Sequence, residues 1–493
     1  VAVRPQALAS DLLSIIADDE ERLERIDSYI NGIQDEPYMP DNADGEYRLL
    51  AKRAVSNWMP LIIGTPAQAL YVDGFRPSRS TTKTDDRSTP EWKHWQNSSL
   101  DARQLAIHRA ALGYGHSFTV TEKRNGKVIT KGLSPLRTAA LYEDAANDNA
   151  PRAALTITKY PVAENNKTTP GEARLWTEQH EFKVLFDALS DEQKVRIVGK
   201  KSHGAPECPV TRFACAVDLE GRTVGVVEPM IPLQNRINQT VFDLLVTQTF
   251  ASFKVRWVTG MAPPMQMRML DADGVETTDP TLAVDVVPRI DNNGNPVPSP
   301  IDHNARRFLF AEDSDTNFGT LDETPLDGFI SSIDMSIRHL AAVSQTPPHY
   351  LLGQIANLSA EALTAAETAL SRKVAEFRSA FGESWERVFR IAGAMAGDTG
   401  VFEDMAGEVL WRDMESRSLA QSADALGKLS DALEIPKRGL WSRVPDVTQN
   451  EIKQWNDLRE EDDLDGRMAD ALQRASQLND GNTKQPDTGG AAA

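Results

Sequence analysis

The sequence predicts an α+β chain, mainly helical, in which two helices of matched length flank a β-rich insertion. Three observations carry this reading. Apolar residues from Leu363 to Met395 recur in unbroken steps of three and four, the period of one long amphipathic helix. Two shorter periodic segments, at 228–254 and 325–343, stand on either side of Gly- and Pro-rich strand signals. The N-terminal half holds Asn125-Gly126 between two alternating runs, the strongest short hairpin signal, because a type I′ turn needs positive φ at both central residues.

Taken in order, the first helix lies in LASDLLSIIADDEERLERIDSYINGI, with Leu12, Ile15, Ile16, Leu23, Ile26 and Ile30 on one face and Gly32 as its stop. A second helical pattern covers YRLLAKRAVSNWMPLI and leads into a short strand at ALYVDGFR. The segment EWKHWQNSSLDARQLAIHRAALGYGHSFTVTEK predicts one helix and then a strand, and further strands follow at AALTITKY, ARLWTEQ and HEFKVLF. From Glu228 a helix of roughly 22 residues, about 33 Å long, places Leu233, Ile237, Val241, Leu244 and Leu245 on one stripe and Asn235, Gln239 and Asp243 opposite. Beyond the β signals at KVRWVTG, AVDVVPRI and RRFLFAED, a second helix opens with Thr324 as N-cap and Pro325 in its first turn. Phe329, Ile330, Ile333, Ile337, Leu340 and Ala341 mark its apolar face. It ends at SQTPPHYLLGQIANL. Ser359 then caps the longest helix, whose stripe runs through Leu370, Val374, Phe377, Phe381, Trp385, Val388, Ala392 and Met395. Such a length must be covered by other elements or by other copies of the chain. SLAQSADALGKLSDALEI and a capping box at Thr448 and Glu451 predict two more helices, and the tail NDGNTKQPDTGGAAA has no apolar content.

The totals narrow the function. At 493 residues the chain exceeds one compact core and predicts two to four domains or an elongated body. A net charge of −19 argues against an open basic face gripping DNA, though not against a protein that encloses DNA. Two cysteines, Cys208 and Cys215, without CxxC spacing, predict a reducing compartment and neither disulfide framework nor zinc site. Asp11 interrupts the only candidate signal run, and Pro60 and Pro66 break the most apolar window, so a soluble protein of the cytoplasm or of a particle assembled there is expected.

Catalytic patterns are missing from the sequence. There is no Walker A loop, no GxSxG and no HExxH. Gly113-Tyr-Gly115 reads as a helix end and strand start. His94, His108 and His116 read as structural or surface residues. DADGVETTD lacks the spacing and final Glu of a calcium loop and reads as a solvated turn. Arg306 and Arg307 are candidates for a phosphate contact, on weak grounds. The reading is therefore of a protein that is not an enzyme, with no cofactor and no metal. A nuclease or nucleotide hydrolase would need a carboxylate or His cluster formed only in space.

Four segments in this order resemble the portal proteins of tailed bacteriophages, in the form found in long-tailed phages. These are RLLAKRAVSNWMPLIIGTPAQALYVDGFR, WKHWQNSSLDARQLAIHRAALGYGHSFTVT, VVEPMIPLQNRINQTVFDLLVTQTFASFKVRWVTG, and TPPHYLLGQIANLSAEAL followed by ALSRKVAEFRSAFGESWERVFRIAG. The resemblance covers most of Tyr29 to Arg474 and is weakest over Trp257–Asp322. It implies an elongated portal architecture assembled as a ring, usually a dodecamer, at one capsid vertex of the virion, with double-stranded DNA packaged and ejected through its centre. It implies a wing at 1–228, a first stem helix at 229–254, a clip at 255–323 and a second stem helix at 324–346. A tunnel loop at 347–358, a spine helix at 359–397, a crown at 398–477 and a flexible tail at 478–493 would follow. The implied partners are further copies of the chain, the terminase large subunit, the head–tail adaptor, and the major capsid protein with its scaffold; no membrane is implied. On this resemblance the tunnel loop comprises Pro347, Pro348, His349, Tyr350, Leu351, Leu352, Gly353, Gln354, Ile355 and Asn357. Its leucines and isoleucine would pack against neighbouring loops, and His349, Tyr350, Gln354 and Asn357 would face DNA. The alternative is an oligomeric structural connector of the virion that is not the portal.

Overall fold

The computed structural model describes residues 4–40, 45–78, 90–164, 167–187, 195–251, 256–259, 265–297, 317–320, 325–353, 360–412, 419–444, 447, 451–452, 454–459, 461 and 468. It is a mixed α+β chain that divides into two compact units, 1–241 with 332–493, and 242–331.

The helices are α1 (Pro5–Ile30), α2 (Gly45–Ala54), α3 (Met59–Gln68), α4 (Pro90–Asn97), α5 (Leu100–Tyr114), α6 (Ile231–Ala251), α7 (Asp327–Ser344), α8 (Pro348–Leu352), α9 (Ala360–Ala396), α10 (Thr399–Phe402), α11 (Leu419–Leu433) and α12 (Lys437–Leu440). The strands of the larger unit begin with β1 (Val72–Arg76), β2 (His116–Arg124), β3 (Lys127–Leu133), β4 (Thr138–Leu141) and β5 (Ala153–Lys159). A small hairpin, β6 (Val162–Glu164) with β7 (Lys167–Thr169), precedes β8 (Gly171–Thr177), β9 (His180–Phe186), β10 (Val195–Ser202) and β11 (Val210–Ala214).

Helix α1 joins two cores. Leu8, Leu12, Leu13 and Ile16 cover the antiparallel sheet β10-β9-β8-β5-β4, whose inner face supplies Leu155, Leu175, Val184 and Phe186. Ile26 and Tyr29, further along the same helix, enter the main core. That core is organised by α9, 37 residues and about 55 Å long. Val374, Phe377, Phe381, Trp385 and Val388 are all buried, as their spacing requires. They meet Trp92 and Trp95 of α4, Phe213 of β11 and Phe75 of β1. Trp95 stands edge-on to Trp385, with centroids 4.9 Å apart. The β2–β3 hairpin turns at Asn125 (φ 50°) and Gly126 (φ 78°), the two positive angles expected there.

Two predicted helices are each broken in two, and tertiary contacts explain both breaks. The first ends at Ala54, and α3 begins only at Met59. Between them the backbone N–H groups of Ser56 and Trp58 donate to Asn238 and Gln234 of α6, at 3.2 Å each. The second stops at Asn97 and restarts at Leu100, with Ser99 at φ 53°. There the Ser98 hydroxyl donates to the His94 carbonyl at 2.8 Å and accepts the Thr130 N–H of β3 at 2.9 Å.

Helix α6 departs from its expected single apolar stripe. Gln234 and Asn238 are buried, as are Ile231 and Ile237 of the same helix. The residues expected on an outer polar face are partly engaged as well: the Tyr29 hydroxyl donates to Asn235 at 2.6 Å, and the Tyr38 N–H donates to Gln239 at 2.7 Å. This polar row holds the extended segment after α1 and the break before α3, so its side chains satisfy backbone groups that no helix or sheet pairs.

The chain reaches α6 through one very close approach. Val226 N–H donates to the Leu112 carbonyl at 2.8 Å. A Cβ on Gly225 would stand 2.6 Å from the Gly115 nitrogen and 2.7 Å from the Leu112 oxygen. Gly115 itself has φ 93° and ends α5, as the Gly-Tyr-Gly reading expects. Strand β17 (Glu408–Trp411) pairs antiparallel with β1, more than 330 positions earlier, closing the far end of the core.

The smaller unit holds the antiparallel pair β12 (Arg256–Thr259) and β16 (Asn317–Thr320), and the sheet β14-β13-β15 formed by β13 (Met267–Leu270), β14 (Glu276–Thr277) and β15 (Asp285–Pro288). Asp271 accepts the N–H groups of Asp273 and Val275 at 3.0 and 2.9 Å, so DADGVETTD is an Asx-type turn. Met267, Leu282, Val284, Val286 and Ile290 are each more than half exposed in this unit.

Candidate functional site

The segment joining α7 to α9 is built on a helix stop that sequence reasoning only half anticipated. Thr346 N–H donates to the Ala341 carbonyl at 3.0 Å and Gln345 N–H to Ala342 at 3.3 Å. This is a Schellman ending, and it requires Gln345 to adopt a left-handed conformation, φ 54°. Glycine normally takes that position because a Cβ there costs roughly 1 kcal/mol or more. Pro347 and Pro348 follow, unable to continue the helix.

The sequence reading of 347–358 as one loop is corrected over its first half. Pro348–Leu352 form one helical turn, α8, which Gly353 closes at φ 65°. This turn is held to the body. Leu351 is buried in the main core and Leu352 packs against it. His349, expected to face DNA, is only 8% exposed. Its ring lies 4.4 Å from that of Tyr350. Tyr350 is 43% exposed, and burial together with the Glu367 carboxylate raises its phenol. Gln354, Ile355 and Asn357 lie outside the described residues, as do Arg306, Arg307 and the expected caps Thr324, Ser359 and Thr448.

A residue missed from sequence completes the anchor. The Lys373 ammonium of α9 donates to the Ser344 carbonyl, the last of α7, at 2.8 Å. A cation at a helix C-terminus meets both an unsatisfied carbonyl and the negative end of the helix dipole. Burial lowers the Lys373 pKa. Nothing local in the sequence marks the pairing, because its partners are 29 positions apart on different helices. On the other side of α7, Arg236 of α6 donates to His339 at 3.0 Å.

The histidines that could suggest chemistry are structural. His94 meets the Thr130 hydroxyl at 2.8 Å, and His116 meets that of Thr223 at 2.8 Å. His108 is enclosed between Leu70 and Trp385. Both cysteines are buried thiols, pushed up to about 12 by desolvation. Among the described residues no group of three or more His, Cys, Asp or Glu side chains converges to hold a metal ion. No described helix is long and apolar enough to cross a membrane.

Comparison with known proteins gives this architecture a family. Residues 12–464 match the family described as phage portal protein, SPP1 Gp6-like. The chain is similar to a portal protein of Mycobacterium phage L5, 31% identical over 384 residues, covering 75% of this chain and 71% of that one. It is also similar to a portal protein of Mycobacterium phage D29, 25% identical over 374 residues with the same coverage. A match spanning both compact units, the long helix and the segment that precedes it places the chain in the SPP1 Gp6-like family of phage portal proteins.

Proposed function

We propose that copies of this chain close into a ring, of twelve subunits, at one vertex of the capsid, and that double-stranded DNA is packaged and ejected through its axial channel. The observation that carries this reading is the family match over 12–464. The anchored turn at 347–353, standing between α7 and α9, adds to it. On this reading 354–358 is the part of the tunnel loop that meets DNA, held at its base by Leu351 and Lys373. The wing is 1–228, the clip 255–323 and the crown 398–477, with 229–254 and 324–346 as the stem helices. The clip docks the terminase and then the head–tail adaptor, an assignment supported by the exposed apolar side chains of 267–290.

Neither Gln354 nor Asn357 is cationic. Repeated around a ring, phosphate-neutralising contacts would hold DNA in proportion to their number, so a polar collar suits a duplex that must slide. Negative-stain imaging of the purified protein tests the assembly, with closed rings and an axial hole expected. A compact monomer under all assembly conditions overturns it. Replacing Gln354 and Asn357 with Lys is expected to slow packaging, and unchanged packaging and retention would remove the loop assignment while leaving the ring intact.

A further inference from the structure

A cavity of about 520 Å³ lies beside α1, away from the segment between α7 and α9. Ile15 and Ile16 of α1, Phe118 of β2 and Ala139 of β4 give it apolar walls, and three arginines reach it. Two of these are engaged. Arg22 pairs with Glu228 at 2.9 Å and with Asp19 at 3.5 Å, and Arg222 pairs with Asp218 at 2.9 Å.

Arg212 differs. Its guanidinium lies over the Tyr142 ring at 4.3 Å and makes one donation, to the Ala145 carbonyl at 3.0 Å. Among the described residues no carboxylate stands within ion-pair distance of it. The stacked ring fixes the plane of the guanidinium and leaves donors on its edge unused. Beside Arg212, His116 meets the Thr223 hydroxyl through Nδ1, and a carboxylate at Nε2 would select the tautomer in which the threonine donates and Nε2 carries the proton. Burial, with Arg22 and Arg212 nearby, holds this imidazole down at about 3, so it is neutral and adds no second charge.

We propose that this cavity binds a small amphiphilic carboxylate, its headgroup on the free edge of Arg212 and the His116 N–H, its apolar body against Ile15, Ile16 and Phe118. The volume is that of a small-molecule site. A carboxylate matches a guanidinium fork in shape. Arg212 is the one of the three arginines without a carboxylate partner, and the two carboxylates on Arg22 leave the group with no net positive charge, so a monoanion is favoured over a dianionic phosphate.

Isothermal titration of the assembled protein with benzoate, benzamide and inorganic phosphate tests the site. Benzoate is expected to bind saturably, and the neutral amide and phosphate at least tenfold more weakly. Arg212→Gln should weaken benzoate tenfold or more, and Arg212→Lys by less, with the far-ultraviolet circular dichroism unchanged. The proposal is overturned if the wild-type protein gives no saturable benzoate signal, if benzamide or phosphate binds as well, or if folded Arg212→Gln retains the affinity. Should that variant not fold, the three-ligand comparison on the wild-type protein decides the matter by itself.

Discussion

The indole N–H of Trp385 donates to Nε2 of His108 at 2.8 Å, across 277 positions of sequence and inside the main core. Because Nε2 accepts there, Nδ1 must carry the proton, and it lies 3.0 Å from the Leu70 carbonyl. One ring thus links α9, α5 and the segment before β1, and its tautomer is set by both neighbours. Trp385→Phe removes the donor and leaves a buried acceptor unpaired. A loss of about 2–4 kcal/mol is expected, read as a lower urea midpoint. A change under about 0.5 kcal/mol would show that the bond contributes nothing.

Acid should weaken this core before it titrates the carboxylates. Burial holds His94 and His108 at about 4, and burial with nearby arginines holds His116 at about 3, against an ordinary 6.5. Below pH 6.5 the unfolded chain takes up protons that the folded chain refuses. Stability is therefore full above about pH 6.5 and falls as pH drops toward 4. Each histidine contributes on the order of 3 kcal/mol to that fall. Urea midpoints at pH 7.5 and pH 5 measure it, and His108→Gln should flatten the slope. A midpoint that holds or rises at pH 5 contradicts the assignment.

Gly225→Ala should be among the most damaging single-methyl additions in the chain. The new Cβ meets backbone atoms of Leu112, Gly113 and Gly115, which have no side-chain freedom with which to yield. A cost of about 3 kcal/mol or more is expected. Gly64→Ala is the control. It sits within α3 with nothing within 4 Å of its added methyl, and should stabilise by about 0.5–1 kcal/mol. Thermal melts of both variants check the contrast, and equal melting temperatures would refute the close approach.

Lys373→Met keeps the length of the stem and removes the donor to Ser344. The last carbonyl of α7 then loses its cap, at a cost of about 1 kcal/mol. The effect should be local. Amide exchange should speed up over 344–353 while the β5–β8 sheet stays protected. Unchanged exchange at Thr346 and Tyr350 would show that α8 is held by Leu351 alone.

Arg387 is 4% exposed and donates to Glu207 at 2.8 Å, to the Val210 and Cys208 carbonyls at 2.6 and 2.9 Å, and to the Thr211 hydroxyl at 2.7 Å. Arg387→Leu leaves four acceptors without their donor and should cost about 3–5 kcal/mol. Glu207→Gln keeps a hydrogen-bond acceptor and should cost much less. Chemical denaturation of the two variants, compared with the wild-type chain, checks the order.

The sequence alone determined those features whose physics is local. The stripe of α9, the Asn125-Gly126 turn, the stop at Gly115 and the break at Pro347-Pro348 depend on side chains a few positions apart. The order of four such segments was enough to suggest the family. Tertiary structure decided what depends on partners far along the chain. Gln234 and Asn238 end a helix 180 positions away by taking its neighbours' N–H groups, and β17 finds β1 across the whole domain. Lys373 reaches Ser344 from another helix, Leu351 turns inward because the core offers apolar contacts there, and His349 is buried too. Periodicity reports which face of an element is apolar. It carries no record of which distant donor, acceptor or methyl group will arrive to meet that face, and at those meetings the backbone yields to the contact.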